Sequence, residues 1–174
     1  MTPVLILPGI GGSGPQHWQS RWEVLEPPYQ RVQVPDWDQP ELEGWVQALD
    51  AAVKAASAEP VIVAHSLGCL TVAHWAARGG RARAALLVAV PDPSGLAFPA
   101  AAASFAAVPL APLGFASHVV TSRNDPYDGR GFGQRAAAAW GSALSDVGVA
   151  GHINADSDLG DWPLGQRLLV ALLG

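Results

Sequence analysis

Short aliphatic runs, apolar at nearly every position, alternate along the chain with longer segments whose apolar residues return every three or four positions. The short runs predict strands at Val4–Leu7, Val32–Val34, Val61–Ala64, Ala84–Val90 and Ser117–Thr121, and a weaker one at Asp146–Val149. Strands apolar on both faces belong in a mainly parallel sheet covered by helices on both sides. Leu42, Trp45, Val46, Leu49 and Val53 fall at i, i+3, i+4, i+7 and i+11, the stripe of an amphipathic helix. Further helices are predicted over Gln16–Glu26, stopped by Pro27 and Pro28, over Ser66–Ala77, stopped by Gly79 and Gly80, and over Asp128–Leu144 and Trp162–Leu173. Strand and helix alternate throughout, with no internal repeat and no linker. The expectation is one α/β domain over residues 1–174, with about six strands.

One segment breaks the rhythm. Pro93–Ser122 contains no Asp, Glu, Lys or Arg and is long enough to raise the question of a membrane span. Pro99, Pro109 and Pro112 would break such a helix repeatedly, so a short helix from about Ala100 to Ala107 followed by extended chain is expected instead. Such an insertion is either a loop packed on the body or a functional lid. The opening MTPVLILPGIGG lacks the basic flank of a signal peptide, and its apolar run ends at Pro8. It reads as a first strand, and a cytoplasmic location is expected.

Composition narrows the function. Of 174 residues, 49% are hydrophobic and 14% charged, which suits a single large core. The formal net charge is -5, without a basic cluster, so neither nucleic acid nor an anionic membrane is an expected partner. The single cysteine, Cys69, is expected to be buried and inert, and the histidines at 17, 65, 74, 118 and 152 lack metal-site spacing.

The chemistry centres on VIVAHSLGC, residues 61–69. A strand, a tight turn at Ser66 and an immediate helix form the context of a nucleophile elbow, although Ala64 stands where G-x-S-x-G has its first glycine. A serine nucleophile needs a histidine base and a carboxylate, in the chain order Ser, acid, His. SRNDPYD places Asp125 after the fifth strand, and GVAGHINADSD places His152 after the last one. Loops at strand C-termini are where a parallel sheet gathers reactive groups, so Ser66, Asp125 and His152 form the candidate triad. Asp92, in VPDP after the fourth strand, is the alternative acid, and Asp128 is expected to cap the next helix. His65 is expected to point away from Ser66 as a packing or loop residue. The backbone N–H of Leu67 is one candidate oxyanion donor, and Ile10, in PGIGGSG, is the other, with Gly9 and Gly11 as neighbours. That loop also looks like a phosphate-binding turn, but it lacks the Lys-Ser/Thr of a P-loop and matches the dinucleotide fingerprint only in part. Gly9, Gly11, His17 and Trp37 are candidate substrate contacts. The seven tryptophans are expected mainly to anchor helices and loops, with Trp18 and Trp37 also placed near the site.

The segments LPGIGGSGPQHWQSRW, VPDWDQPELEGWV, VAHSLGCLTVAHWA, LLVAVPDP, TSRNDPYD and AWGSALSDVGVAGHIN, in this order over almost the whole chain, resemble the small single-domain α/β-hydrolases of the retinoblastoma-binding protein nine-like serine hydrolase family. The resemblance implies a compact sheet without a large cap domain, and it carries the family's serine, acid and histidine to Ser66, Asp125 and His152. It implies a serine hydrolase acting on small esters; from the triad itself a small ester or amide is the expected substrate and no cofactor is expected. Asp158 in SDLGDW and the segment GRGFG depart from the family pattern, in loops near His152 and after Asp125. Two other readings stay open: a non-catalytic protein- or ligand-binding member of the fold, with its partner unknown, and an acyltransferase or lyase on the same scaffold.

Overall fold

The computed structural model describes residues 2–26 and 28–174. Six parallel strands form one sheet: β1 (Val4–Leu7), β2 (Gln30–Arg31), β3 (Val61–His65), β4 (Ala84–Val88), β5 (Ala116–Thr121) and β6 (Ala143–Asp146), in the order β2-β1-β3-β4-β5-β6. The helices are α1 (Trp18–Leu25), α2 (Leu42–Ala55), α3 (Leu67–Ala77), α4 (Phe132–Trp140) and α5 (Pro163–Leu173). This is the α/β-hydrolase arrangement in compact form.

The period-2 pleat explains why the strands carry no polar face. Leu5, Leu7, Ile62, Ala64, Ala85 and Leu87 pack with Trp45 and Leu49 of α2, Leu70 of α3 and Trp140 of α4. The intervening Val4, Ile6, Val61, Val63, Leu86 and Val88 pack with Trp18 and Trp22 of α1 and Leu169 of α5. Each residue of β1 and β4, and each of β3 from Val61 to Ala64, therefore enters one of two cores, and these central strands leave no solvent face for polar side chains.

Several boundaries differ from the sequence expectation. The second strand pairs at Gln30–Arg31 rather than Val32–Val34. Val32 and Val34 are buried, and Val32 N–H still donates to the Ile6 carbonyl at 2.9 Å, so their apolar pattern marks the core rather than the ladder. The last strand lies at Ala143–Asp146 rather than Asp146–Val149. It is a largely exposed edge strand with little hydrophobic signal, and Asp146 Oδ1 accepts the Gly148 N–H to turn the chain away. The helix expected over Asp128–Leu144 spans Phe132–Trp140, because Gly131 and Gly141 adopt left-handed backbone at its two ends. Asp128 precedes it, and its carboxylate accepts the Gly133 N–H at 2.9 Å, a capping contact across one extra turn. The stop at Pro27 lies outside the described residues.

The uncharged segment packs down on the body. A 3-10 helix at Ala100–Phe105 stands where a short helix from about Ala100 to Ala107 is expected, and it buries Ala102 and Phe105. His74 donates to the Phe105 carbonyl, and Trp140 Nε1 donates to the Pro109 carbonyl at 2.8 Å. Among the described residues no helix is long and apolar enough to cross a membrane.

β1 is where the winding reverses: β2 lies on one side of it and β3 on the other. A crevice opens between the loops that leave the C-terminal ends of two such strands. Here those loops begin with Gly9 to Gly12 after β1 and with Ser66 after β3.

Candidate active site

Ser66 occupies the turn between β3 and α3 with φ 52 and ψ -121, a conformation that costs a non-glycine residue about 1–3 kcal/mol. The strain persists because its surroundings dictate it. Ser66 N–H donates to the Val88 carbonyl at 2.9 Å, and the next residue opens a helix whose ten positions from Leu67 to Ala76 are buried. The glycine requirement of the elbow lies at two places. A Cβ on Gly68 would sit 2.5 Å from the Leu7 carbonyl oxygen, and one on Gly9 would sit 2.9 Å from Ser66 Cβ. The Ala64 methyl is accommodated within the core, which accounts for the A-H-S-L-G spelling.

His152 lies in the loop after β6, between Gly151 (φ 57) and Ile153 (φ 48). Four contacts fix that loop. Ala150 N–H donates to Ser122 Oγ at 2.9 Å and Gly151 N–H to Asn124 Oδ1 at 2.8 Å. Trp18 Nε1 donates to the Ile153 carbonyl at 2.8 Å, and His65 Nε2 meets the His152 carbonyl at 2.9 Å. So held, His152 Nε2 lies 2.9 Å from Ser66 Oγ, and its Nδ1 lies 2.9 Å from both carboxylate oxygens of Asp125. Because a carboxylate accepts, Nδ1 carries the hydrogen, and the Nε2 lone pair faces the serine hydroxyl. Asp125 Oδ1 also accepts the Tyr127 N–H at 2.9 Å, and its side chain is 1% exposed.

The alternative acid is placed elsewhere. Asp92 Oδ1 accepts the Ser94 N–H at 2.8 Å, its other oxygen packs on Gly129, and it makes no hydrogen bond to His152.

The cleft beside Ser66 has a volume of about 380 Å³. Gly9, Ile10, Gly11 and His17, from the chain after β1, line it together with Leu67 at the start of α3. Trp37 does not line it. Its ring packs against Gly12, and its carbonyl accepts the Gly11 N–H at 3.0 Å, so it shapes the loop from behind. That bond also occupies the Gly11 donor, leaving the N–H groups of Ile10 and Leu67 without an acceptor among the described residues. Sequence reasoning missed Tyr127, Asn154, Phe98, Pro99 and Ala101, which are also among the residues lining the cleft. His65, expected to be a packing or loop residue, is buried, and its side chain also reaches the backbone of His152. No spacing rule in the sequence points to the additional wall residues.

The remaining groups are structural. Burial pushes the Cys69 thiol up, and its Sγ lies 3.3 Å from the Val88 carbonyl oxygen. His118 bonds Ser145 across β5 and β6. Among the described residues no group of three or more His, Cys, Asp or Glu is arranged to hold a metal ion.

Comparison with known proteins agrees with this geometry at the level of family and fold. The serine hydrolase family model matches residues 4–171. A YdeN-like hydrolase from Pectobacterium atrosepticum is 31% identical, with a TM-score of 0.88 over 99% of this chain and 90% of that one. The ydeN gene product of B. subtilis is 21% identical, with a TM-score of 0.81 over 99% of each chain. The esterase RhEst1 from a Rhodococcus species shares the fold at 13% identity, with a TM-score of 0.68 over 99% of this chain and 90% of that one. No curated protein sequence matches.

Proposed function

Since the chain belongs to the serine hydrolase family, we propose that it cleaves small carboxylic esters through an acyl-enzyme formed on Ser66, as a carboxylesterase-like hydrolase. The observation that supports this most is the continuous path from the Ser66 hydroxyl through His152 to Asp125, each step 2.9 Å long.

In this reading Ser66 Oγ attacks the ester carbonyl carbon while His152 Nε2 takes the hydroxyl proton. Asp125 keeps the ring in its Nδ1–H form and stabilises the imidazolium. The carbonyl oxygen becomes an oxyanion, met by the free N–H groups of Ile10 and Leu67. The Leu67 N–H also belongs to the positive end of the α3 dipole. The intermediate collapses as His152 returns the proton to the leaving alcohol. Water then attacks the acyl group with His152 as base, the acid departs and Ser66 regains its proton. Asp, Glu, Lys and Arg are absent from the described lining of the cleft, which favours neutral esters, with Ile10, Phe98, Pro99 and Ala101 as apolar contacts.

The test is hydrolysis of p-nitrophenyl acetate and butyrate by wild type, Ser66→Ala, His152→Ala and Asp125→Asn. Wild type is expected to turn over both esters. The serine and histidine variants should lose on the order of 10⁴-fold or more in kcat, and Asp125→Asn nearly as much. A wild type inert toward both esters, with the variants indistinguishable from it, would favour a binding role for the fold instead.

A further inference from the structure

Along one wall of the cleft runs a row of three imidazoles. The His17 and His65 rings are 4.7 Å apart at 72°, and the His65 and His152 rings are 4.9 Å apart at 62°. His17 and His65 are each 4% exposed.

Their hydrogens follow from their partners. A carbonyl only accepts, so His65 Nε2, 2.9 Å from the His152 carbonyl oxygen, carries a hydrogen. His17 Nδ1 accepts the Gln19 N–H at 3.1 Å, so its hydrogen sits on Nε2, which has no partner among the described residues. Burial, reinforced by the charge of His152 and of Arg31, holds His17 down at about 3. Burial, then His17, then His152 hold His65 well below the ordinary histidine range. Both rings are therefore neutral.

Stability alone does not account for this row. A buried donor left without an acceptor costs about 1–3 kcal/mol, which a phenyl ring of similar shape would not incur. The loop opposite needs fixed partners, however. Ile153 is β-branched and has positive φ, and such a conformation survives only where the surroundings over-determine it. Two buried ring N–H groups hold its consecutive carbonyls: His65 on that of His152 and Trp18 on that of Ile153.

We propose that His65 is a positioning residue for the Ser66 reaction: its Nε2–H clamps the His152 carbonyl, keeping the His152 ring between Asp125 and Ser66. The residue next to the nucleophile in sequence thus aligns the base that activates it. This role rests on the hydrolase reading above.

The test compares His65→Phe, which keeps a ring and loses the donor, with His65→Gln, whose amide nitrogen replaces Nε2–H. For His65→Phe the expected result is a kcat on p-nitrophenyl butyrate lower by about 10- to 100-fold, with KM within about 3-fold. His65→Gln should recover to within about 5-fold of wild type even if its melting temperature falls as far. A merely structural role would leave kcat per folded molecule unchanged in both. Full activity in His65→Phe, or a glutamine variant no better than the phenylalanine one, overturns the proposal. If the phenylalanine variant does not fold, His65→Asn, too short to reach the carbonyl, takes its place with the same expected loss. Nitrogen-15 spectra of the wild-type imidazoles give a readout that needs no turnover. His65 and His17 should remain neutral Nε2–H tautomers from pH 8 to pH 5.5, and an Nδ1–H form or a titration of His65 in that range overturns the clamp. These spectra separate failure of the clamp from failure of the hydrolase reading, which an inert wild type would indicate.

Discussion

Ser66 shows how single atoms set the terms of this site. Its positive φ is enforced by what flanks it, and two hydrogens, on Gly68 and Gly9, are the most closely confined places nearby. Gly68→Ala should therefore destabilise the fold by about 1–3 kcal/mol, since the new methyl meets the backbone oxygens of Leu7 and Pro8. Ala64→Gly, which restores the common motif spelling, should gain no activity. Denaturant melts and ester turnover of both variants check this, and a neutral Gly68→Ala would contradict it. The motif alone gives positions 64 and 68 equal weight. The difference between them was not legible in the sequence, because it depends on where the β1 backbone passes. Ser66, Asp125 and His152 were legible for a different reason: each follows a strand, and chain order fixes the C-terminal edge of a parallel sheet as their meeting place.

Elements were readable where one physical signal dominated. The strands β1, β3 and β4 and the end of β5 from Val119 are buried on both faces, so their aliphatic runs stand out, and α2 has one clear apolar stripe. The edge strands β2 and β6 were misplaced by a few residues because pairing there is not coupled to burial. The loop after β6 matters more than the strand, since it carries His152 and depends on donors from distant elements. Trp18→Phe removes one of them, the indole N–H on the Ile153 carbonyl. A loss of about 1–2 kcal/mol in stability is expected, with a larger proportional loss in kcat than in KM. Thermal denaturation and steady-state kinetics measure the two. An unchanged kcat would mean that Trp18 only packs with Trp22 and Trp162, its ring neighbours in α1 and before α5.

At the scale of the whole molecule, the buried neutral histidines tie stability to pH. His17 is lowered from 6.5 to about 3 in the folded protein, and His65 is lowered well below 6.5. The unfolded chain therefore binds more protons than the folded one below about pH 6.5, and stability falls as pH drops from there toward 3. His74 and His118 shift in the same direction, whereas Asp128, raised by burial, acts in the opposite sense. Between pH 7 and pH 5 His17 should remove about 2 kcal/mol, a sizeable part of a domain's whole stability, and His65 acts in the same direction. Urea unfolding at the two pH values tests this, and equal midpoints would contradict it. The lowered carboxyls of Asp36, Glu43, Asp50 and Asp146 contribute in more acid solution. All of these effects surround one reactive hydroxyl. The most direct measurement is mass-spectrometric mapping of a fluorophosphonate adduct on the folded protein. The account predicts one adduct, on the peptide containing Ser66, that disappears in Ser66→Ala and is strongly slowed in His152→Ala. A wild-type protein that takes up no probe, or a Ser66→Ala protein labelled as fast as wild type, would contradict it.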